Sequence, residues 1–493
     1  MLKRALPATL LVAFLVGTVA NAQGLCPADR LSDKLICVLP QVYGSGGLQQ
    51  GIGALQPVPW HHGGHFENSF VNDLTPLNTA VGTELTLLPL ASPASGIVYT
   101  FDRSLGVLTA STEDFGPILS ERAQTIGRHK WNLGLSFQRF DFHTLDGADM
   151  KSLPAVFSHV DDNNDVPGST TNCTTNPQGP TDSNTGLCGF VRDVISTTNR
   201  ISLRVNQFTS FVTYGLTNRL DLSLALPIVN VRMNVTSDAT IVDNAHSGDH
   251  QFKKPGCGLP SSQGQALLPA CANQSFFNTR NATGIGDIVL RGKYTVWRGE
   301  RAGLAFGADL RLPSGDDQNF LGAGTVGFKP FAVFSYRARL SPHVNVGYEV
   351  NGDSILAGDI TQGTSAHLPN QFIYVAGADF VVVNKRLSAT FDLIGQRVFD
   401  AGRVSRTNKS FLGACAPAGL GPGDPGYCTQ PAPTSQAPTL TPTRSSFNIT
   451  SAAIGVKLRA AGRLLLIGHI LVKLDEGGLR SPIVPLVGLS YTF

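Results

Sequence analysis

The sequence predicts an all-β fold, a transmembrane antiparallel barrel of about twelve strands, and three observations point to it. Apolar and polar residues alternate with period two from about residue 130 to Phe493, the pattern of strands between lipid and a wet interior. The alternating segments run for about 11 to 20 residues, whereas soluble strands have a mode of about 5–6. Very short connections alternate with long ones, as in outer-membrane barrels. Composition agrees. The 493 residues include 53 Gly and 30 Pro, and only 15% are charged, against about 25% in soluble domains. Beyond the first twenty or so residues no 18-residue apolar run occurs, which excludes helical membrane spans. A net charge of +3 gives no case for nucleic acid as a partner.

Residues 1–22 read as a secretory leader: Lys3 and Arg4, an apolar stretch from Leu10 to Val19, and Ala20-Asn21-Ala22 before Gln23. Cys26 follows Leu25 rather than a small residue, which argues against a lipid anchor. The eight cysteines fall into local couples: Cys26 with Cys37, Cys173 with Cys188, Cys257 with Cys271, and Cys415 with Cys428. An oxidising compartment makes nearest-neighbour disulfides the expectation. No couple has C-x-x-C spacing or a nearby His, so no metal is expected.

Twelve strands are expected near 130–143, 194–216, 219–240, 283–298, 301–313, 323–340, 342–357, 368–383, 386–400, 445–459, 462–474 and 481–493. In 343–351, for example, Val344, Val346, Tyr348 and Val350 oppose Asn345 and Glu349. Tight links at Thr217-Asn218, 298–301, 340–342, Asn384-Lys385 and 460–462 follow every even-numbered strand. Three long links, about 144–193, 241–282 and 401–444, carry cysteine couples. The short turns should face the periplasm and the stapled loops the outside. The alternation changes phase after Val205, near Pro227 and near Ser451, which predicts β-bulges there. A hairpin at 97–101 and 106–110 would raise the count to fourteen if it joined the wall.

Alternation assigns Arg204, Asp221, Asp287, Arg291, Lys293, Asp309, Arg311, Lys329, Arg337, Arg339, Glu349, Asp379, Asp392, Lys457, Arg463, His469 and Lys473 to the lumen. Such mixed charges either pair across strands or line a selective path. At the end of the chain Leu489, Tyr491 and Phe493 alternate with smaller residues, resembling the C-terminal signal read by the outer-membrane barrel assembly machinery. Outer-membrane lipid and that machinery are therefore expected partners, and no cofactor is.

From about residue 200 onward the chain resembles the outer-membrane transporter family named for the phenol meta-cleavage (MetA) degradation pathway. The resemblance rests on Gly284-Ile285-Gly286-Asp287, on Leu312-Pro313-Ser314-Gly315-Asp316 and on Leu321-Gly322-Ala323-Gly324. These correspond to the family's G-x-G-D strand start, its L-P-[ST]-G-D loop and the L-G-x-G after it. More distantly the chain is similar to fatty-acid and aromatic-hydrocarbon transporter barrels. The resemblance implies passage of small hydrophobic or aromatic solutes and brings no catalytic residues.

Residues 23–129 lack barrel-length alternation and read as a plug in the lumen or a periplasmic region, with one short helix at 117–122. The domain plan is thus leader 1–22, N-terminal region 23–129 and barrel 130–493. Other motifs do not hold. Gly322-x-Gly324-x-x-Gly327 opens a strand rather than a helix. His61-His62-Gly63-Gly64-His65 sits on a Gly loop, and Asp161-x-Asn163-x-Asp165 lacks the glycine and distal acid of a calcium loop. Pro431–Pro442 reads as an extended surface loop. The leading function is a passive outer-membrane channel. Its rivals are a surface adhesin acting through the large loops, and an outer-membrane hydrolase, for which no Ser/His or Asp/His signature aligns.

Overall fold

The computed structural model describes residues 25–27, 29–44, 77–86, 99–102, 107–110, 120–158, 193–244, 250–252, 254, 257, 269–360, 362–383, 386–413 and 434–493. The leader, His61–His65 and Asp161–Asp165 lie outside the described residues. So do two of the expected disulfide couples, Cys173 with Cys188 and Cys415 with Cys428. No described helix is long and apolar enough to cross a membrane.

Twelve strands form the wall: β1 Trp131–Phe142, β2 Val194–Gly215, β3 Leu220–Val242, β4 Ile288–Arg298, β5 Ala302–Leu312, β6 Gly327–Tyr336, β7 Leu340–Asn351, β8 Gln371–Val383, β9 Leu387–Leu412, β10 Thr434–Ala461, β11 Leu464–Lys473 and β12 Ile483–Thr492. Each pairs antiparallel with the next in sequence, and β12 returns to β1 with Leu486 opposite Gln138 and Thr492 opposite Asn132. The sheet closes on itself, so the wall leaves no open strand edge at membrane depth. The short turns share one end with the two ends of the wall, where Trp131 N–H donates to Phe493 O. The hairpin near residue 100 forms between Tyr99–Asp102 and Val107–Ala110, but as a sheet of its own. The wall stays at twelve.

The side-chain faces follow the alternation. Val344, Val346, Tyr348 and Val350 are 38–44% exposed on the outer face, while Glu349 is buried inside. Leu489, Tyr491 and Phe493 also lie on the outer belt.

The three expected bulges are absent, for one physical reason. The β2–β3 register runs unbroken from Val194↔Val242 to Gly215↔Asp221. Ile201, Leu203 and Val205 point inward, and so do Gln207, Thr209 and Thr213 below them. The phase is constant and the polarity inverts. On the turn side the outer surroundings are lipid and the inner face is polar. Further out the strands stand in water and bury their apolar face inside, so Val229, Val231, Met233 and Val235 are buried while Arg232 is exposed. In β10 the same inversion puts Phe447 inside and Asn448 outside, above the outward Ile454, Val456 and Leu458. The inversion marks the outer membrane boundary on the strands themselves. Arg204, expected in the lumen, turns outward as a consequence and pairs with Asp141 at 2.5 Å.

Two strands extend the wall beyond this boundary. Leu153–Ser158 continues the line of β1 along β2, and Asn273–Ile285 continues the line of β4 along β3. Between Ile285↔Ile228 and Val289↔Ala225 the β4 side holds one extra residue, so a bulge does exist, at Gly286-Asp287. Strands β9 and β10 run 26 and 28 residues, well beyond the 9–11 needed to cross a bilayer. Pro431–Pro442 is therefore no loop from Thr434 on: Pro438 and Pro442 pair opposite Asn408 and Val404. Proline is tolerated because this part of β10 is a sheet edge, β11 reaching only to Ser451.

Candidate functional site

Three described segments of the N-terminal region, residues 29–44, 77–85 and 120–127, meet inward-facing side chains of the wall at three levels. At the outer level, residues 29–44 pack into the main apolar cluster with Ile201, Val231 and Met233. Tyr43 stands edge-on to Phe157 and Phe276, and its hydroxyl lies 2.9 Å from Ser237 Oγ. The Cys26–Cys37 disulfide ties this segment, and Cys257–Cys271 ties the loop before Asn273. Peptide mapping without reduction should recover both, and reduction should loosen these segments while the ladder-held barrel stays folded. The bridges proposed between Cys173 and Cys188 and between Cys415 and Cys428 fall outside the described residues, and the same mapping tests them. A peptide joining cysteines of two different couples would overturn the local pairing.

At the middle level, residues 77–85 are helical, with Leu77, Ala80, Val81 and Leu85 buried at helical spacing. Thr79 and Thr83 hydroxyls donate to Gly358 O at 3.2 Å and Leu356 O at 3.3 Å. Glu84 is buried beside Gly478. Burial foremost, and then Asp146, push its carboxyl up from 4.5 to about 8, against the pull of the Leu479 N–H and of Arg403 and Arg480. A carboxyl raised on docking supports the docked state fully below its ordinary range and loses that support as pH rises to and through about 8. Conductance of the reconstituted protein should therefore rise between about pH 5 and about pH 8, and Glu84→Gln should flatten the profile. A wild-type profile flat across that range would show that this helix does not gate.

At the inner level, residues 120–127 cross the turn end of the lumen. A helix was expected up to Arg122; the described residues from 120 on are non-helical, because wall side chains take up their backbone groups instead. Asn345 accepts from Glu121 N–H at 2.6 Å and donates to Glu121 O at 3.0 Å. Ser335 Oγ accepts from Ala123 N–H, Thr295 donates to Ala123 O, and Asp221 accepts from Ile126 N–H at 3.1 Å. The side chains lock it further. Glu121 bridges Arg291 and Lys293, the latter at 2.9 Å, and Arg122 reaches Asp379 at 3.1 Å. Gly127, at φ 98°, passes so close to Gly215 that a Cβ on Gly215 would lie 1.8 Å from Gly127 O. Only glycine fits there.

The remaining sequence-assigned residues fall into groups. Asp309 sits between Arg291 at 2.6 Å and Lys329 at 2.9 Å, and Arg311 meets Glu349 at 3.3 Å. His343 Nε2 lies 2.6 Å from Asp392, with Lys457 fully buried nearby. His469 is buried, and neither ring nitrogen has a hydrogen-bond partner among the described residues. Lys473 pairs with Glu476 at 2.6 Å at the outer rim. Arg337 donates to Glu300 O at 2.6 Å, and Arg339 and Arg463 are exposed at the turns. Arg339 lies 5.8 Å from the ring of the outward Phe380, away from the lumen, because the strand alternation has already ended there.

Asp287 holds the bulge and the loop after β5 together. Its carboxylate accepts from Gly315 N–H at 3.0 Å and Ala323 N–H at 2.7 Å, and Ser314 Oγ donates to Gly286 O at 2.8 Å. A Cβ on Gly322 would lie 2.3 Å from Asp287 Oδ1, so the motif needs glycine where the carboxylate approaches. The sequence motifs thus build one knot, which presents Phe320 and Leu321 to a cavity of about 240 Å³ inside the barrel. Val205, Val229, Val289, Leu356, Val375 and Ile394 continue its apolar side, and Arg291, Asp309, Arg311, Lys329, Glu349 and Gln371 form its polar side.

A closed twelve-strand antiparallel barrel with an apolar outer belt and a polar interior defines a class: this is a transmembrane β-barrel of the bacterial outer membrane. Within that class, residues 175–414 match the family model described as "Putative MetA-pathway of phenol degradation", the family its Gly284–Asp287 and Leu312–Gly324 motifs resemble. No curated protein sequence matches the chain. Among solved structures it is similar to an outer membrane channel from Pseudomonas putida F1, at 11% identity and a TM-score of 0.41 over 75% of this chain and 98% of that one. A FadL homologue of Pseudomonas aeruginosa matches at 10% identity and TM-score 0.29 over 81% and 96%. The Ralstonia pickettii toluene transporter matches at 14% and 0.24 over 74% and 90%.

Proposed function

We propose that the protein is a passive outer-membrane channel for small hydrophobic or aromatic solutes, with the N-terminal region as a plug within the lumen. The carrying observation is the cavity: it lies inside the barrel, between the wall and Leu85, Thr86, Ser120 and Glu121 of the inserted region, and one side is apolar. A cavity of about 150 Å³ lined by apolar side chains suffices for benzene. The match to a family named for phenol degradation supports an aromatic solute. The plug reading explains how a barrel with a charged interior can avoid leaking polar solutes: its acids and bases face each other and the inserted segment. The Leu489, Tyr491 and Phe493 belt would serve the assembly machinery.

Val289 faces the cavity, so Val289→Trp should fill it while leaving the lipid face untouched. Cells carrying this variant should assemble the barrel, heat-modifiable on a gel, and lose most of the uptake of labelled toluene seen with the wild type. Undiminished uptake through an assembled variant would remove the cavity from the path.

A further inference from the structure

Above the lipid belt on the β1–β3 side, the outward face carries an arginine patch that its own acid does not neutralise. The last apolar row of the belt here is Phe137, Phe208, Ile228 and Ile285, which stand opposite one another in register and are 37–52% exposed. The next outward row is Arg139, Asn206, Asn230 and Thr283, and the one after it Asp141, Arg204, Arg232 and Asn281. Rows on one face are two residues apart, about 7 Å along a tilted strand. Three arginines thus stand within two rows of the hydrocarbon, at the level of the lipid headgroups.

Asp141 is the one carboxylate in these rows. It is engaged by Arg139 at 2.8 Å and by Arg204 at 2.5 Å. Arg232 is exposed and has no ion pair among the described residues. It stands directly opposite Arg204 in the β2–β3 register and on the same face, an arrangement in which like charges repel. Other outward arginines at this end are placed differently: Arg200 pairs with Asp238, and Arg444 with Asp400. An anion lying against Arg204 and Arg232 would turn their repulsion into a clamp, and the planar guanidinium fork matches phosphate oxygens. The patch is continuous with the surface that lipid covers, so the anion that reaches it there is carried by a lipid. The neutral ladder beside it suits sugar hydroxyls: Asn206 donates to Asn230 at 3.2 Å, and Asn230 to Thr283 at 2.7 Å.

We propose that Arg139, Arg204 and Arg232 form a binding site for the phosphate of a saccharide lipid in the outer leaflet, with Arg204 and Arg232 clamping it from neighbouring strands.

The test is equilibrium binding of labelled bisphosphorylated lipid A to the full-length barrel in neutral mixed micelles, with dephosphorylated lipid A as the paired probe. The phosphorylated lipid should bind tighter. Arg204→Gln combined with Arg232→Gln should weaken it about thirtyfold, the worth of two basic side chains near an anionic surface. Arg232→Gln alone breaks no ion pair and should weaken it about fivefold, which decides the matter if the double variant assembles poorly. Asp141→Asn releases two arginines and should strengthen binding, while Arg444→Gln should leave it unchanged. Equal wild-type affinity for the two lipids, undiminished binding by a folded Arg232→Gln barrel, or weaker binding by Asp141→Asn overturns the site. Displacement of the lipid by inorganic phosphate at equal concentration would show a site for free anions and overturn the lipid assignment.

Discussion

Replacing Glu121 and Arg122 together by alanine is expected to raise single-channel conductance several-fold while the barrel still assembles. The two side chains hold separate parts of the wall, Glu121 on Arg291 and Lys293 of β4 and Arg122 on Asp379 of β8. All five groups lie in the interior, and breaking a buried pair from one side costs about 3–5 kcal/mol. The four backbone bonds from Asn345, Ser335 and Asp221 contribute about 0.5–1.5 kcal/mol each. They are of the same order as the ionic penalty, so the segment should exchange between docked and undocked rather than leave outright. Water entering past it would rehydrate Asp379 and Lys293, which favours the open form. The barrel itself is held by its ladders and by lipid and should keep its heat-modifiable mobility. Planar-bilayer recording of both proteins checks this. An assembled double variant with wild-type conductance would mean that residues 120–127 are not the barrier.

Val346→Arg is expected to impair assembly severely. The side chain is 38% exposed on the outer belt, midway along β7, and an arginine near the bilayer midplane costs about 2–4 kcal/mol. Its neighbour Asn345 faces the opposite way and bonds the Glu121 backbone. Asn345→Ala should leave assembly near the wild-type yield and act on conductance instead. Comparing folded fractions on a heat-modifiability gel separates the two faces. Equal yields from both variants would refute the assignment of sides.

The barrel was legible because lipid on one side and water on the other impose a period of two that every strand must repeat. The twelve strands, the position of the tight turns and the outward set around Val344–Val350 could all be read from that period. So could the pairing of Cys26 with Cys37 and Cys257 with Cys271, since each couple closes a short local loop. Periodicity misleads where the surroundings change along a strand. After Val205, near Pro227 and near Ser451 the polarity inverts without a change of face, and a local pattern cannot tell an inverted environment from a bulge. One bulge, at Gly286-Asp287, sits under a family motif rather than a phase change, and others shift the register between Val398 and Ala401 and near the turns. The helix at 77–85 carried a readable signal in Leu77, Ala80, Val81 and Leu85.

The wall is written in residue order, because alternation between two solvents is a property of each strand and its nearest neighbours. What fills the wall was decided only in three dimensions. Nothing in the vicinity of Glu121 and Arg122 indicates that they meet Arg291, Lys293 and Asp379 some 170 to 257 residues away. These contacts join segments with no shared periodicity, and their energies come from burial and charge compensation across the closed lumen, which exist only once the barrel has closed.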